Sequence, residues 1–201
     1  EHDTLDGLMS ALEMGVERST DDELTSDQLE GLPLLPTQSG FVIQHHFFPD
    51  MPCNVTLIVK VTGAGPLQPA LLAQALELML ARHPILTQAI MLKGEQWRLC
   101  PATEPVRLEV HETLEGLDLS NRRLDLSNGP LFEAHCDDEE LLLLGHHAIV
   151  DAWSQKILME DLVHTYAKLL GHHVDDLPSL RTTWGDVINA SQQLSDSDLP
   201  W

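Results

Sequence analysis

The sequence predicts an α/β fold in which helices pack on a mixed sheet, and two patterns lead to this prediction. Several short runs alternate apolar with more polar residues between Pro, Gly and Asp clusters, as half-buried strands require. Longer runs place apolar residues every three or four positions, as amphipathic helices require. With 201 residues and 43% apolar content, the chain is large enough to bury a sizeable core.

The first predicted elements after residue 31 are a helix, a strand and a second helix. Pro36 suits the first turn of a helix that runs through Val42 and His46 and ends at the Pro49–Pro52 cluster. Residues 55–61 alternate as a strand. The second helix is predicted from a wide apolar stripe formed by Leu71, Leu72, Ala75, Leu76, Met79 and Leu80.

The rest of the chain is predicted to form strands followed by helices. In order, these are a hairpin of residues 85–92 and 96–100, strands at 106–110, 131–136 and 139–145, a helix from 153 to about 170, and a helix near 183–194.

Charge, hydropathy and cysteine usage narrow the possible partners and location. The chain has 11 Lys and Arg against 32 Asp and Glu, a formal charge of -21, which is unsuited to binding nucleic acid phosphates. Its longest apolar stretches fall far short of the ~20 residues that cross a bilayer, so no membrane partner is expected. Cys53, Cys100 and Cys136 are odd in number and widely spaced, which favours buried free thiols in a reducing cytoplasm.

The acidity is concentrated at the start of the chain, where residues 1–30 hold 10 acidic side chains and one arginine. This shift marks a boundary near Gly31. Leu5, Leu8, Met9 and Leu12 have the spacing of a short amphipathic helix. We therefore expect residues 1–30 to be an acidic linker or docking segment, and residues 31–201 to form the main domain.

The most informative motif is His146-His147-Ala148-Ile149-Val150-Asp151-Ala152-Trp153-Ser154. It lies between the predicted strand 139–145 and the helix that follows. Two histidines and an aspartate at a strand-to-helix corner indicate chemistry, because an imidazole can hold or remove a proton from an attacking amine and a nearby carboxylate can fix its tautomer.

This corner resembles the HHxxxDG motif of condensation domains in nonribosomal peptide synthetases, with Ala152 in place of the glycine. Three further segments occur in the family's order. Residues 32–38 resemble its LPLTPxQ signature, 82–86 its RHxxLR block and 124–131 its FDLxxGPL stretch. The block departs from the family after Leu86, where Thr87 replaces an arginine.

The resemblance implies a chloramphenicol acetyltransferase-like sandwich, a mixed and mostly antiparallel sheet with flanking helices. Residues 31–201 would be the N-terminal lobe, a single lobe of a two-lobe domain. The implied activity is amide formation between acyl or peptidyl donor and aminoacyl acceptor thioesters. Both substrates would be carried on phosphopantetheine of carrier proteins, with no cofactor bound by this chain. Carrier proteins, the C-terminal lobe and neighbouring modules would be its partners, and we expect the chain alone to be inactive or very feeble.

The resemblance also implies a catalytic set of His147, His146 and Asp151. His147 is the candidate that meets the acceptor amine, as a base or by orienting the amine. His146 is expected to be structural, since adjacent side chains of an extended segment point opposite ways. Asp151 is also expected to be structural. In the wider acyltransferase relatives its equivalent pairs with a buried arginine, which makes Arg82 its candidate partner.

Three neighbouring residues complete the predicted site. Glycine at this position would allow a positive φ or a close approach by a ligand, and Ala152 either removes that freedom and slows the reaction, or begins the helix with ordinary dihedral angles and has no effect on the reaction. Trp153 and Ser154 are expected to line the substrate channel.

Other functions receive less support. The vicinal pairs at His45, His146 and His172 lack the i, i+4 spacing of zinc enzymes, so no metal site is expected. A noncatalytic condensation-like module that docks carrier or partner proteins is the alternative function. An epimerization domain, which shares the double histidine, and an ester-forming relative also remain open.

Overall fold

The computed structural model describes residues 31–60, 65–117, 119 and 121–195. The helices are α1 (Pro36–Phe47), α2 (Pro69–Arg82), α3 (Ala152–Leu169) and α4 (Trp184–Ser195), and a 3-10 turn covers Pro84–Thr87. The strands are β1 (Leu32–Pro33), β2 (Asn54–Lys60), β3 (Gln88–Lys93), β4 (Gln96–Pro101), β5 (Leu108–Val110), β6 (Phe132–Cys136) and β7 (Glu140–His146). The helices and strands predicted between residues 36 and 195 are thus present, although residues 85–87, predicted as the start of a strand, lie in the 3-10 turn, and β1 was not predicted. The amphipathic helix proposed within residues 1–30 lies outside the described residues.

The strands form two sheets rather than one. The larger sheet has the order β2-β7-β6-β5, in which β5 and β6 are parallel and the other pairs antiparallel. The smaller sheet has the order β1-β4-β3 and is antiparallel throughout. The fold is therefore α/β with a mixed, mostly antiparallel larger sheet, as predicted.

The position of β7 in the core explains why its sequence is a continuous run of apolar residues. This strand lies between β2 and β6, and Leu141, Leu142, Leu143 and Leu144 are all buried. A strand buried on both faces needs no polar alternation. From α2, the residues Leu72, Ala75, Leu76 and Met79 add a buried helical stripe to the same core. The histidine motif follows directly on this rigid central strand.

The three cysteines are free and buried, as predicted. Within the described ranges, no helix combines the length and the hydropathy needed to cross a membrane.

Candidate active site

The corner between β7 and α3 is a tight turn that depends on a glycine. The backbone N–H groups of Ile149 and Val150 both donate to the carbonyl of His146, at 2.9 and 3.1 Å. This brings Val150 over Gly145, where an added Cβ would lie 2.8 Å from Val150 Cγ2. Only a residue without a side chain leaves that space. The glycine that the corner requires thus precedes the histidines.

His147 is fixed at both its backbone and its ring. Its N–H donates to the Cys53 carbonyl at 2.7 Å, which ties the loop to the segment before β2. Its ring stacks on Phe41 of α1, with centroids 4.2 Å apart and planes inclined by 14°. Its Nδ1 is buried and has no hydrogen-bond partner among the described residues. The ring is therefore oriented by packing, and one of its nitrogens has no partner among the described residues.

His146 lies behind the loop, in line with the expectation for adjacent residues of a strand. Its side chain is 0% exposed, Nδ1 accepts from the Ala148 N–H at 3.1 Å, and Nε2 lies 3.2 Å from Nδ1 of His45. Burial, and then the neighbouring His45 and His147, lower the pKa of His146 to about 4. His146 is consequently neutral near pH 7.

His45 and Arg123 continue this network away from the loop. Arg123 Nε lies 3.2 Å from His45 Nε2, and Arg123 Nη2 donates to the His45 carbonyl at 2.8 Å. Burial, then the positive charge of Arg123, lower the pKa of His45. A proton added to His45 Nε2 or His146 Nδ1 would face another donor, Arg123 or the Ala148 N–H. Burial therefore favours the neutral form of both rings.

Gln38 joins the start of α1 to the turn of residues 146–151, called the histidine loop below. This buried side chain donates from Nε2 to the Ala148 carbonyl at 2.9 Å and accepts at Oε1 from the Leu35 N–H at 2.9 Å. Sequence reasoning included Gln38 in a family signature without giving it a role, and it treated His45 as an ordinary histidine. The available signal was their spacing with Val42, which puts two polar residues on the buried stripe of one helix.

Asp151 begins the helix that carries the corner. Its Oδ1 accepts from the backbone N–H and the hydroxyl of Ser154, both at 2.7 Å. These bonds, the backbone one first, lower the pKa of Asp151, so the carboxylate is ionised as an N-cap. Ala152 is the first residue of α3, and no described residue other than glycine has a positive φ. Of the two alternatives for Ala152, the structure supports the ordinary helix start.

The predicted pair between Arg82 and Asp151 is wrong. Arg82 Nε donates to Asp161 Oδ2 at 2.8 Å, and His83 Nε2 lies 2.7 Å from the same oxygen. Arg82 Nη2 donates to the Pro178 carbonyl. Asp151 is engaged as a cap, whereas Asp161 occupies a buried position of α3 that faces α2. Arg82 therefore supports the packing of α2 on α3.

The two residues predicted to line the channel differ in exposure. Trp153 is 74% exposed at the start of α3, and Lys156 Nζ lies 6.0 Å from its ring centroid. The hydroxyl of Ser154 is bound to Asp151. Their contact with substrate stays a prediction.

The arrangement suits the handling of a proton at a substrate nitrogen or oxygen. A partly exposed imidazole is stacked on Phe41 directly after the end of β7, and a buried histidine pair and a capped helix support the turn that carries it. Such a group can accept a proton from a nucleophile or hold that nucleophile in place.

Known proteins match this chain over most of its length. The condensation domain family model matches residues 28–199. The chain is 34% identical over 146 residues to the probable non-canonical nonribosomal peptide synthetase CymA of Salinispora arenicola, covering 66% of this chain and 2% of that protein. It is 29% identical over 180 residues to a linear gramicidin synthase of Brevibacillus parabrevis, covering 76% of this chain and 3% of that protein.

Solved structures agree on the fold. The starter condensation domain of the rhizomide synthetase RzmA superposes with a TM-score of 0.71 at 15% identity, over 83% of this chain and 44% of that one. SgcC5 of Streptomyces globisporus superposes with a TM-score of 0.58 at 23% identity, over 73% of this chain and 39% of that one. The chain thus spans under half of these structures and a few per cent of the synthetases. It has the chloramphenicol acetyltransferase-like fold and belongs to the condensation domain family of nonribosomal peptide synthetases.

Proposed function

We propose that this chain is the N-terminal lobe of a condensation domain that forms an amide bond. An aminoacyl acceptor would attack an acyl or peptidyl donor, each held as a thioester on the phosphopantetheine of a carrier protein. The bond between the acceptor nitrogen and the donor carbonyl carbon forms, the thioester carbon–sulfur bond breaks, and the acceptor proton passes to the departing thiol. Neighbouring synthetase modules would supply the two carriers.

The observation that carries this proposal is the environment of His147. Its ring is held against Phe41, and its buried Nδ1 lacks a partner among the described residues. The ring is otherwise only partly buried, so its remaining edge can meet a substrate while Phe41 and the backbone hold the ring in place. The resemblance to condensation domains implies the same role for this histidine, beside the reacting amine.

The supporting residues have distinct positioning roles. His146 and His45 form a neutral support behind the loop, so they add no charge that would repel an ammonium group. Gln38 holds the Ala148 carbonyl, and Asp151 starts α3. None of these four needs to exchange a proton during the reaction.

Two relationships support the substrate class. The relatives from Salinispora and Brevibacillus are peptide synthetases. A variant of the rhizomide starter condensation domain has been solved in complex with C8-CoA and Leu-SNAC. We infer that the cleft facing His147 is completed by a C-terminal lobe and takes donor and acceptor of this kind.

The test is amide formation, followed by mass spectrometry, from donor and acceptor pantetheine thioesters. The chain is assayed with and without the polypeptide encoded immediately downstream. Product that requires the downstream piece and falls by about 10²–10⁴-fold in His147→Ala would support the proposal. The exposed His172→Ala is the matched control and should keep full activity.

The alternatives give different results in the same assay. A docking module would bind carrier protein equally well with and without His147 and yield no product. An ester-forming domain would give product only with a hydroxyl acceptor, and an epimerization domain would change the configuration of a bound aminoacyl thioester without condensing it. Any of these results would contradict amide formation.

A further inference from the structure

A second group of histidines lies on the larger sheet, outside the histidine loop. Glu109 of β5 is the register partner of His135 of β6, so their side chains lie on the same face. His111 is two residues after Glu109 and returns to that face. Its backbone N–H donates to the Cys136 carbonyl at 2.8 Å, which continues the pairing of the two strands. Three potential metal ligands are thus gathered on rigid backbone.

The distances among the three ligand atoms have the scale of a metal site. His111 Nε2 lies 3.1 Å from His135 Nδ1, and Glu109 Oε2 lies 3.4 Å from His135 Nδ1 and 3.9 Å from His111 Nε2. Tetrahedral zinc with bonds of about 2.0–2.1 Å separates its ligand atoms by roughly 3.4 Å. Small side-chain rotations would bring all three atoms to that spacing.

A further carboxylate orients the buried ring. Glu133 Oε2 lies 3.3 Å from Nε2 of His135, and Glu133 Oε1 is bound by Arg122 at 2.9 Å. A carboxylate at Nε2 keeps the ring proton there and leaves the lone pair of Nδ1 directed at the other two ligands. Histidines that bind metals commonly have such a partner on their second nitrogen.

The exposure of the three side chains is also compatible with a bound metal ion. The His135 side chain is 1% exposed, whereas those of His111 and Glu109 are 27% and 55% exposed. The buried ring supplies a preset ligand, and the two open side chains leave a path for the ion and room for water. Imidazole with one carboxylate is a ligand set that suits Zn²⁺ in tetrahedral geometry.

We propose that Glu109, His111 and His135 bind one Zn²⁺ ion, with water in the fourth position. The ion would join the edge strand β5, only three residues long, to β6. This proposal reverses the expectation from the vicinal histidine pairs, because the ligands come from two strands that pair across the sheet. It is independent of amide formation, since none of these residues belongs to the histidine loop.

The test uses the full chain, without an affinity tag, after removal of metals with a chelator. Zinc is added, unbound ion is removed by gel filtration, and bound zinc is measured by mass spectrometry. Affinity is measured by competition with a chromophoric chelator. We expect one zinc per chain, a rise in Tm on zinc addition, and the visible absorption of tetrahedral Co²⁺ when cobalt replaces zinc.

Variants locate the site. His111→Gln and Glu109→Gln change partly exposed side chains and should leave the fold intact, as circular dichroism checks, while weakening zinc binding by more than the roughly 10–100-fold that loss of a ligand's supporting partner causes. Glu133→Gln, which acts through His135, should weaken it by about 10–100-fold. The control replaces the exposed pair His172 and His173 by Gln and should bind zinc as the original chain does.

Two results would overturn the proposal. One is a folded chain that retains no zinc. The other is zinc binding of the same affinity in His111→Gln, or its loss in the His172 and His173 control, because either would place the ion elsewhere.

Discussion

Asp161 connects α2 with α3, and its replacement by alanine tests how strongly that contact stabilises the domain. Its Oδ2 is the shared partner of Arg82 Nε at 2.8 Å and His83 Nε2 at 2.7 Å. The three side chains are 9%, 19% and 14% exposed, respectively. Asp161→Ala would leave two donors poorly paired in a partly buried interface.

The expected loss follows from these contacts. Removing one partner of a buried ion pair costs about 3–5 kcal/mol. Arg82 is not fully buried and keeps its bond to the Pro178 carbonyl, so we expect the lower end, about 3 kcal/mol. For a domain of this size, that loss corresponds to a fall in Tm of about 6–12 °C.

The assay is urea unfolding followed by circular dichroism. Glu160→Ala is the matched control on the same helix, because Glu160 pairs with Lys156 at 3.5 Å where both side chains are over 60% exposed. Such a surface pair should cost at most about 0.5 kcal/mol. The combined Arg82→Ala and Asp161→Ala variant completes a double-mutant cycle. The reasoning fails if Asp161→Ala is no more harmful than the control, or if the two losses add without coupling.

Three shorter predictions concern the histidine corner. Because the pKa of His146 is about 4 when folded, against an ordinary value of 6.5, the unfolded chain binds more protons between these values and stability falls as pH drops through this window. From about pH 7 to about pH 4.5 this residue should account for about 2–3 kcal/mol, a part of the pH dependence of urea unfolding that His146→Gln should lack. Gly145→Ala should destabilise by about 1–3 kcal/mol through its clash with Val150, and adding Val150→Ala should recover much of that loss in the same assay. Ala152→Gly should lower the free energy of unfolding by about 0.5–1 kcal/mol, and amide formation that rises severalfold in this variant would contradict our account of the corner.

The sequence predicted those features that depend on local pattern. The helix α2 and the strand β7 could be predicted from the sequence because each buries a regular set of apolar positions. The division into two sheets and the parallel pairing of β5 with β6 were not, since pairing between distant strands leaves no local periodicity.

The same distinction applies to the site. His146, His147 and Asp151 lie within one short motif, so sequence could place them together. Their supports came from elsewhere: His45 from α1 and Arg123 from the segment before β6. Arg82 was assigned the wrong carboxylate because both aspartates lie near the start or middle of α3, and only packing decides which one faces α2.

The adjacent residues Arg122 and Arg123 contact two different clusters of side chains. Arg122 binds Glu133 beside the proposed zinc ligands, while Arg123 binds His45 behind the histidine loop. Irregular segments usually tolerate insertions because little depends on their length. Here a single inserted residue would move one arginine or the other off its partner. This segment should therefore keep a constant length among functional relatives, although the described residues 121–131 contain no helix or strand.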